Sequence, residues 1–168
     1  MKANRITSTL ALSGFRKVFN SINQYGVKKG VDELGLDAYI KHCARVAAST
    51  GAITGVGGAT SMILGLPLDL FNNVTQQFRV TLAVIYDRRG VYALNFEEFM
   101  AVVAVSVGLE AGLIATRSLL ENIAEKLLLR LGESAVGRLV PVVGAIVGGT
   151  TNYLFIRGIG ASMKKLPL

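Results

Sequence analysis

The chain has 168 residues, of which 51% are apolar and only 17% are charged, against about 25% charged in an ordinary soluble domain. This composition excludes an intrinsically disordered chain, and the single cysteine excludes a disulfide framework or a cysteine-rich zinc site. The net charge is +7, and residues 1–30 carry six basic side chains and no acidic one, so the rest of the chain is nearly neutral.

Residues 1–30 predict a basic amphipathic arm that precedes the main domain, residues 31–168. An apolar stripe recurs at helical spacing in this arm: Leu12, Phe15, Phe19 and Ile22. Such a helix suits an anionic membrane surface, where each basic side chain adds about 1 kcal/mol of attraction. The alternative is a core-packing helix whose polar face is basic. On the membrane interpretation, the residues that contact lipid are Lys2, Arg5, Phe15, Arg16, Lys17, Phe19, Lys28 and Lys29.

The next helix is predicted over residues 37–50, with Asp37 as its N-cap and Gly51 as its end. An uncharged run, residues 46–68, overlaps this helix and is formally long enough to span a bilayer. Five glycines dilute its hydrophobicity, so the run suits close helix–helix packing better than contact with lipid.

Asp69 follows Pro67 and can cap a helix that is predicted to extend to about Asp87. The following residues, Arg88, Arg89 and Gly90, are expected to close it. An apolar stripe at spacings of three and four residues marks its buried face: Phe71, Val74, Phe78, Leu82 and Ile85.

Asn95 and Glu98 have the spacing of a capping box and predict the start of another helix. The body of this helix, residues 99–116, is apolar on every side except for Ser106 and Glu110. A helix with this pattern is buried all round or lies in a membrane.

Residues 117–131 predict an amphipathic helix that Gly132 ends. The last element starts near residue 133 and contains a second uncharged run, residues 139–156, which also carries several glycines. We therefore predict an all-α fold, a compact bundle of about six helices in which two glycine-rich helices pack closely together.

Few residues have the pattern of a chemical site. The glycines of residues 51–58 lack the Lys-Ser/Thr pair of a phosphate loop, and His42 and Cys43 are adjacent, so they point in different directions on a helix. Glu110 needs a basic partner within its apolar helix, and Arg79 is the natural candidate. The buried polar candidates are Asp69, Arg79, Glu110 and Asn152.

Three segments resemble the EcsC family. The first is Gly65-Leu66-Pro67-Leu68-Asp69-Leu70, and the second combines Arg79 with Tyr86 and Gly90, although Asp87-Arg88-Arg89 separates the tyrosine from the glycine. The third is the stretch of residues 139–149 that precedes Asn152. The resemblance covers roughly residues 40–165 and implies a bacterial, helical, membrane-associated protein. It transfers no catalytic residue.

The sequence favours a non-enzymatic protein that binds anionic lipid at the inner face of the cytoplasmic membrane, peripherally rather than by insertion. The alternative is a self-assembling scaffold or a subunit of a membrane complex, because glycine-rich helices and apolar surfaces permit such contacts. A lipid-active enzyme with Glu110 in a pocket is a third hypothesis. No cofactor, metal or nucleic-acid partner is expected.

Overall fold

In a computed structural model of the chain, residues 2–57, 62–63, 66–106, 118–126, 150, 153–154 and 156–165 are described. The elements with complete bounds are helices α1 (Lys2–Ser21), α2 (Gln24–Leu34), α3 (Leu36–Gly57), α4 (Leu68–Arg89) and α5 (Phe96–Ser106) and strands β1 (Met62–Ile63) and β2 (Leu66–Pro67). Residues 118–126 and 156–163 are also helical. The two short strands pair antiparallel between α3 and α4. The predicted all-α class is confirmed.

Local signals set the ends of several helices. The Asn23 side chain accepts a hydrogen bond from the Gly26 amide at the start of α2, at 2.9 Å. Gly90 follows the last residue of α4 with φ of +69°, a conformation that favours glycine.

The predicted capping box at the start of α5 is confirmed. The Asn95 amide donates to Glu98 Oε2 at 2.9 Å, and the Glu98 amide donates to Asn95 Oδ1 at 2.8 Å. The two residues thereby satisfy amides that have no partner within the helix itself.

Helix α4 packs against α1, α2 and α3, and its contact with α3 is the most extensive. The predicted stripe on α4 lies in the core, with Val74, Phe78, Leu82 and Ile85 buried and Phe71 partly buried. The Phe78 ring centroid lies 5.9 Å from that of Phe15 and 4.8 Å from that of Phe99. These edge-on contacts join α1, α4 and α5.

The predicted bounds of the helix over residues 37–50 are wrong at both ends. Helix α3 begins at Leu36, so Asp37 lies in its first turn, and it continues past Gly51 to Gly57. Residues 46–68 are not one helix, because β1 and β2 occupy part of the run. The second glycine-rich run, residues 139–156, lies mostly outside the described residues, so its packing stays a prediction.

Candidate functional site

The apolar stripe of α1 faces the core. Phe15 and Phe19 are buried, and the Phe19 ring centroid lies 4.9 Å from that of Phe99. This placement corrects the expectation that both rings contact lipid, because they are already enclosed by other helices. The boundary predicted at residue 30 falls inside α2 (Gln24–Leu34).

Nearby carboxylates hold three of the cations that were expected to contact lipid. Arg16 Nη2 lies 2.6 Å from Glu97 Oε1, and its guanidinium carbon lies 4.4 Å from the Phe96 ring centroid. Lys29 Nζ lies 3.6 Å from Glu33 Oε1, and Lys28 is paired as described below. Lys17 is exposed, and the side chains of Lys2 and Arg5 lie outside the described part.

An exposed tyrosine patch lies where α2 meets the loop between α4 and α5. It consists of Tyr25, Tyr86, Val91 and Tyr92. Tyr25 is 61% exposed, Val91 is 41% exposed and Tyr92 is 39% exposed. The Tyr92 ring centroid lies 6.3 Å from that of Tyr25 and 6.4 Å from that of Tyr86, so the patch is one continuous surface.

Lys28 and Asp32 contact Tyr86 of the tyrosine patch. Lys28 Nζ donates to Asp32 Oδ2 at 2.5 Å, and the Tyr86 hydroxyl donates to Asp32 Oδ1 at 2.6 Å. Lys28 Nζ also lies 5.2 Å from the Tyr86 ring centroid. The hydrogen bonds from Lys28 and then Tyr86 lower the pKa of the Asp32 carboxyl, so this carboxylate stays ionised at neutral pH.

The loop that carries Tyr92 is fixed in place from both sides. Gln24 Nε2 donates to the Leu94 carbonyl at 2.9 Å, and the Leu94 amide donates back to Gln24 Oε1 at 3.0 Å. Asn95 then begins α5 through its capping box. The exposed tyrosine rings are therefore presented on an ordered backbone.

Two exposed arginines at the end of α4 come just before the loop of the tyrosine patch in the sequence. Arg88 and Arg89 directly precede Gly90, Val91 and Tyr92. Arg88 Nη2 donates to the Lys164 carbonyl at 2.6 Å, which ties α4 to the C-terminal residues of the described chain. Two exposed cations are thus close along the chain to the exposed side chains of Val91 and Tyr92.

A second polar group lies in the contact between α3 and α4, which we call the polar seam: Tyr39, Asn72, Gln76 and Arg79. Asn72 Nδ2 contacts the Val46 carbonyl at 3.4 Å, and Gln76 Nε2 donates to Asn72 Oδ1 at 3.2 Å. One turn later, Arg79 Nε donates to the Tyr39 hydroxyl at 3.1 Å. Asn72, Gln76 and Arg79 occupy successive turns on one face of α4, and Tyr39 lies opposite on α3.

Arg79, the predicted partner of Glu110, is half-buried, and its guanidinium carbon lies 5.7 Å from the Tyr39 ring centroid. Burial raises the pKa of the Tyr39 hydroxyl. Glu110, Asn152 and the side chain of Asp69 lie outside the described part, so the pairing of Arg79 with Glu110 stays a prediction.

Cys43 lies next to the polar seam and is fully buried, whereas His42 is exposed. Burial raises the pKa of the Cys43 thiol to about 11, which keeps it protonated and unreactive at neutral pH. The structure therefore assigns no paired chemistry to these two neighbours.

The tyrosine patch and the buried glutamines of α4 were not predicted from the sequence. Tyr25 and Tyr92 are far apart in the sequence, and no local pattern joins them. Gln76 and Gln77 are both buried. The apolar stripe of α4 gives no local signal for this, because two adjacent positions, about 100° apart on a helix, can both lie outside such a stripe.

Among the described helices, none combines the length and the apolar character that crossing a membrane requires. Over the same residues, His, Cys, Asp and Glu side chains form no group of three or more that could hold a metal ion. Comparison with protein-family models, curated proteins and solved structures found no match to this chain.

Proposed function

We propose that this chain is a non-enzymatic, EcsC-like bacterial protein that binds peripherally to anionic lipid at the inner face of the cytoplasmic membrane. The tyrosine patch and its neighbours Arg88 and Arg89 form the contact surface. The observation that carries the proposal is the exposure of Tyr25, Val91 and Tyr92, with two exposed arginines directly before this loop in the sequence.

Tyrosine suits the boundary between lipid and water because its ring is apolar and its hydroxyl is polar. Cations near such rings add attraction to anionic headgroups, about 1 kcal/mol for each side chain. The loop also helps, because Leu94 and Asn95 are held by hydrogen bonds before any contact is made. Binding therefore requires little further ordering of the chain.

The contact surface differs from the basic arm that the sequence suggested. In the arm, Arg16, Lys28 and Lys29 each lie beside a carboxylate. The neighbouring negative charge reduces the attraction of each cation for anionic headgroups. Arg89 is exposed and lies two residues before Val91 in the sequence. Removing one positive charge is therefore expected to affect lipid binding differently at these two locations.

Binding to vesicles that contain phosphatidylglycerol, measured by flotation, tests the proposal. Replacing Arg89→Gln removes about 1 kcal/mol of attraction and weakens binding about fivefold. The double variant Tyr25→Ser, Tyr92→Ser weakens binding roughly a hundredfold, because each inserted ring contributes roughly 1.5 kcal/mol. Added salt weakens the binding of the native protein, since exposed charges are screened over about 8–10 Å.

Lys17→Gln is the matched control, because it removes the same charge from an exposed position on α1. We expect a much smaller effect than for Arg89→Gln. Equal effects of the two variants would reject the tyrosine patch as the contact surface. Failure of the native protein to bind anionic vesicles would reject the proposed membrane function itself.

The exposed tyrosines also favour the second candidate, a scaffold that assembles with itself or with a membrane complex. Tyrosine and arginine are enriched in the energetic centres of protein interfaces. Light scattering without lipid or detergent separates the two functions. A defined oligomer that the Tyr25→Ser, Tyr92→Ser variant abolishes would favour assembly.

A further inference from the structure

An open cleft of about 550 Å³ lies where the turn between α2 and α3 meets the end of α4 and Lys164. This volume is in the range of small-molecule sites, about 300–1,000 Å³. Gly35 lines the cleft, and a Cβ atom built there would meet no heavy atom within 4 Å. Leu34 also lines it and is 54% exposed. The cleft therefore has room for a ligand and an apolar side chain that is accessible to it.

The charged side chains that line the cleft are of both signs: Arg88 and Lys164 are positive, and Asp37 and Asp87 are negative. Lys164 Nζ donates to Asp37 Oδ1, and Arg88 Nη2 donates to the Lys164 carbonyl at 2.6 Å. The hydrogen bond from Lys164 lowers the pKa of the Asp37 carboxyl, so this group is ionised at neutral pH. A molecule that carries charge of one sign only would be repelled by half of this lining, whereas a zwitterion matches it.

Two of these side chains have unused hydrogen-bonding capacity within the described residues. The Arg88 guanidinium has five N–H groups, and one hydrogen bond, to the Lys164 carbonyl, engages it there. Asp87 is exposed, and its carboxylate has no ion pair in the same part of the chain. The two residues are consecutive at the end of α4, so a free donor and a free acceptor both border the cleft.

We propose that this cleft binds a zwitterionic headgroup that joins a phosphodiester to a primary ammonium, as phosphoethanolamine does. Arg88 and Lys164 donate to the two charged phosphate oxygens. The Asp87 carboxylate accepts from the ammonium, and Leu34 contacts the apolar group attached to the phosphate. Arg88 is shared with the contact surface proposed above. The cleft does not depend on that function, because its test uses soluble headgroups without a membrane.

The test follows the backbone amide signals of the full native chain by NMR at pH 7 and low salt. Three soluble headgroups are titrated: glycerophosphoethanolamine, glycerophosphocholine, which has no N–H donor, and glycerophosphoglycerol, which has no amine. We expect saturable shifts at Gly35 and Arg88 with the first. Affinity for each of the other two should be about fivefold lower, because the ion pair with Asp87 is lost or weakened.

A short-chain phosphatidylethanolamine, added as monomers, identifies the source of the headgroup. Tighter binding of this lipid than of glycerophosphoethanolamine would identify a lipid, and equal affinity would identify the soluble headgroup. If the lipid binds more tightly, Leu34→Ser should remove the difference. Leu154→Ser is the matched control, because Leu154 is 61% exposed and does not line the cleft.

Two charge variants separate the two ends of the headgroup. Asp87→Asn should abolish the preference for ethanolamine over glycerol, and Arg88→Gln should weaken the binding of all three headgroups about fivefold. Glu33→Gln and Arg45→Gln remove the same charges from exposed positions outside the cleft lining. Both control variants should bind as the native protein does.

Two results in the native protein would overturn the proposal without relying on any variant. The first is a set of shifts at Gly35 and Arg88 no larger than those at exposed residues elsewhere, such as Lys17. The second is equal affinity for the three soluble headgroups. Neither result bears on vesicle binding, so the failure of this proposal is distinguishable from the failure of the proposed function.

Discussion

The close contact between Gly30 and Tyr39 predicts that Gly30→Ala destabilises the protein, although alanine has the higher helix propensity. Gly30 lies inside α2, where alanine would be favoured by about 1 kcal/mol. A Cβ atom built at this position lies only 2.4 Å from Tyr39 Cε2 and 2.8 Å from Cδ2. The Tyr39 ring is buried and hydrogen-bonded to Arg79, so it cannot move aside freely.

Overpacking of a well-packed core costs up to about 3 kcal/mol. Subtracting the helix gain of about 1 kcal/mol leaves Gly30→Ala destabilised by about 2 kcal/mol. For a chain of this size, that change lowers the midpoint of thermal unfolding by about 4–8 °C.

Two other glycines provide a graded comparison. A Cβ at Gly160 lies 2.9 Å from Ile40 Cγ2, at the end of a more flexible side chain, whereas a Cβ at Gly158 has nothing within 4 Å. We therefore expect Gly158→Ala to be stabilising by about 0.5–1 kcal/mol and Gly160→Ala to fall between the two. Urea unfolding followed by circular dichroism measures all three, with the midpoint changing and the slope unchanged. A Gly30→Ala variant at least as stable as the native protein would refute this packing.

Three further predictions concern caps, pH and the cysteine. Asn95→Ala removes half of the capping box and should lower the free energy of unfolding by about 1 kcal/mol; an unchanged urea midpoint would contradict that role. The pKa of the Glu97 carboxyl is lowered chiefly by its hydrogen bond from Arg16. The ion pair therefore stabilises the fold above the ordinary pKa of a glutamate, and this stabilisation is lost as the pH falls through the pKa of Glu97 in the folded protein. Between about pH 5 and pH 3 the urea midpoint should therefore fall less in Arg16→Gln than in the native protein, and identical pH profiles would argue against the pair. Because Cys43 is buried and its pKa is raised to about 11, a thiol reagent should label it slowly in native protein and rapidly in urea, and rapid native labelling would be inconsistent with this burial.

Local patterns were sufficient to predict several elements of the fold. The buried stripe of α4 follows from apolar residues at spacings of three and four, and the start of α5 follows from Asn95 and Glu98. The end of α4 follows from Gly90. In each case the groups that interact are a few residues apart, so the chain itself brings them together.

Glycines were harder to interpret from the sequence. Gly51 was expected to end a helix, but α3 continues to Gly57, because a glycine inside a helix costs only about 1 kcal/mol and does not by itself end it. At Gly30 the lack of a side chain permits the close approach of Tyr39 to α2.

The sequence by itself determined that the chain is helical, that α1 has an apolar stripe and that the first thirty residues are basic, because periodicity and charge are properties of neighbouring residues. Only the tertiary structure decided what these features contact. Phe15 and Phe19 pack in the core, and Arg16 pairs with Glu97, which is 81 residues away. The exposed patch is likewise assembled from Tyr25 and Tyr92, which lie on separate segments. The physical reason is that burial and charge neutralisation depend on distances in space, and those distances are set by how the helices pack.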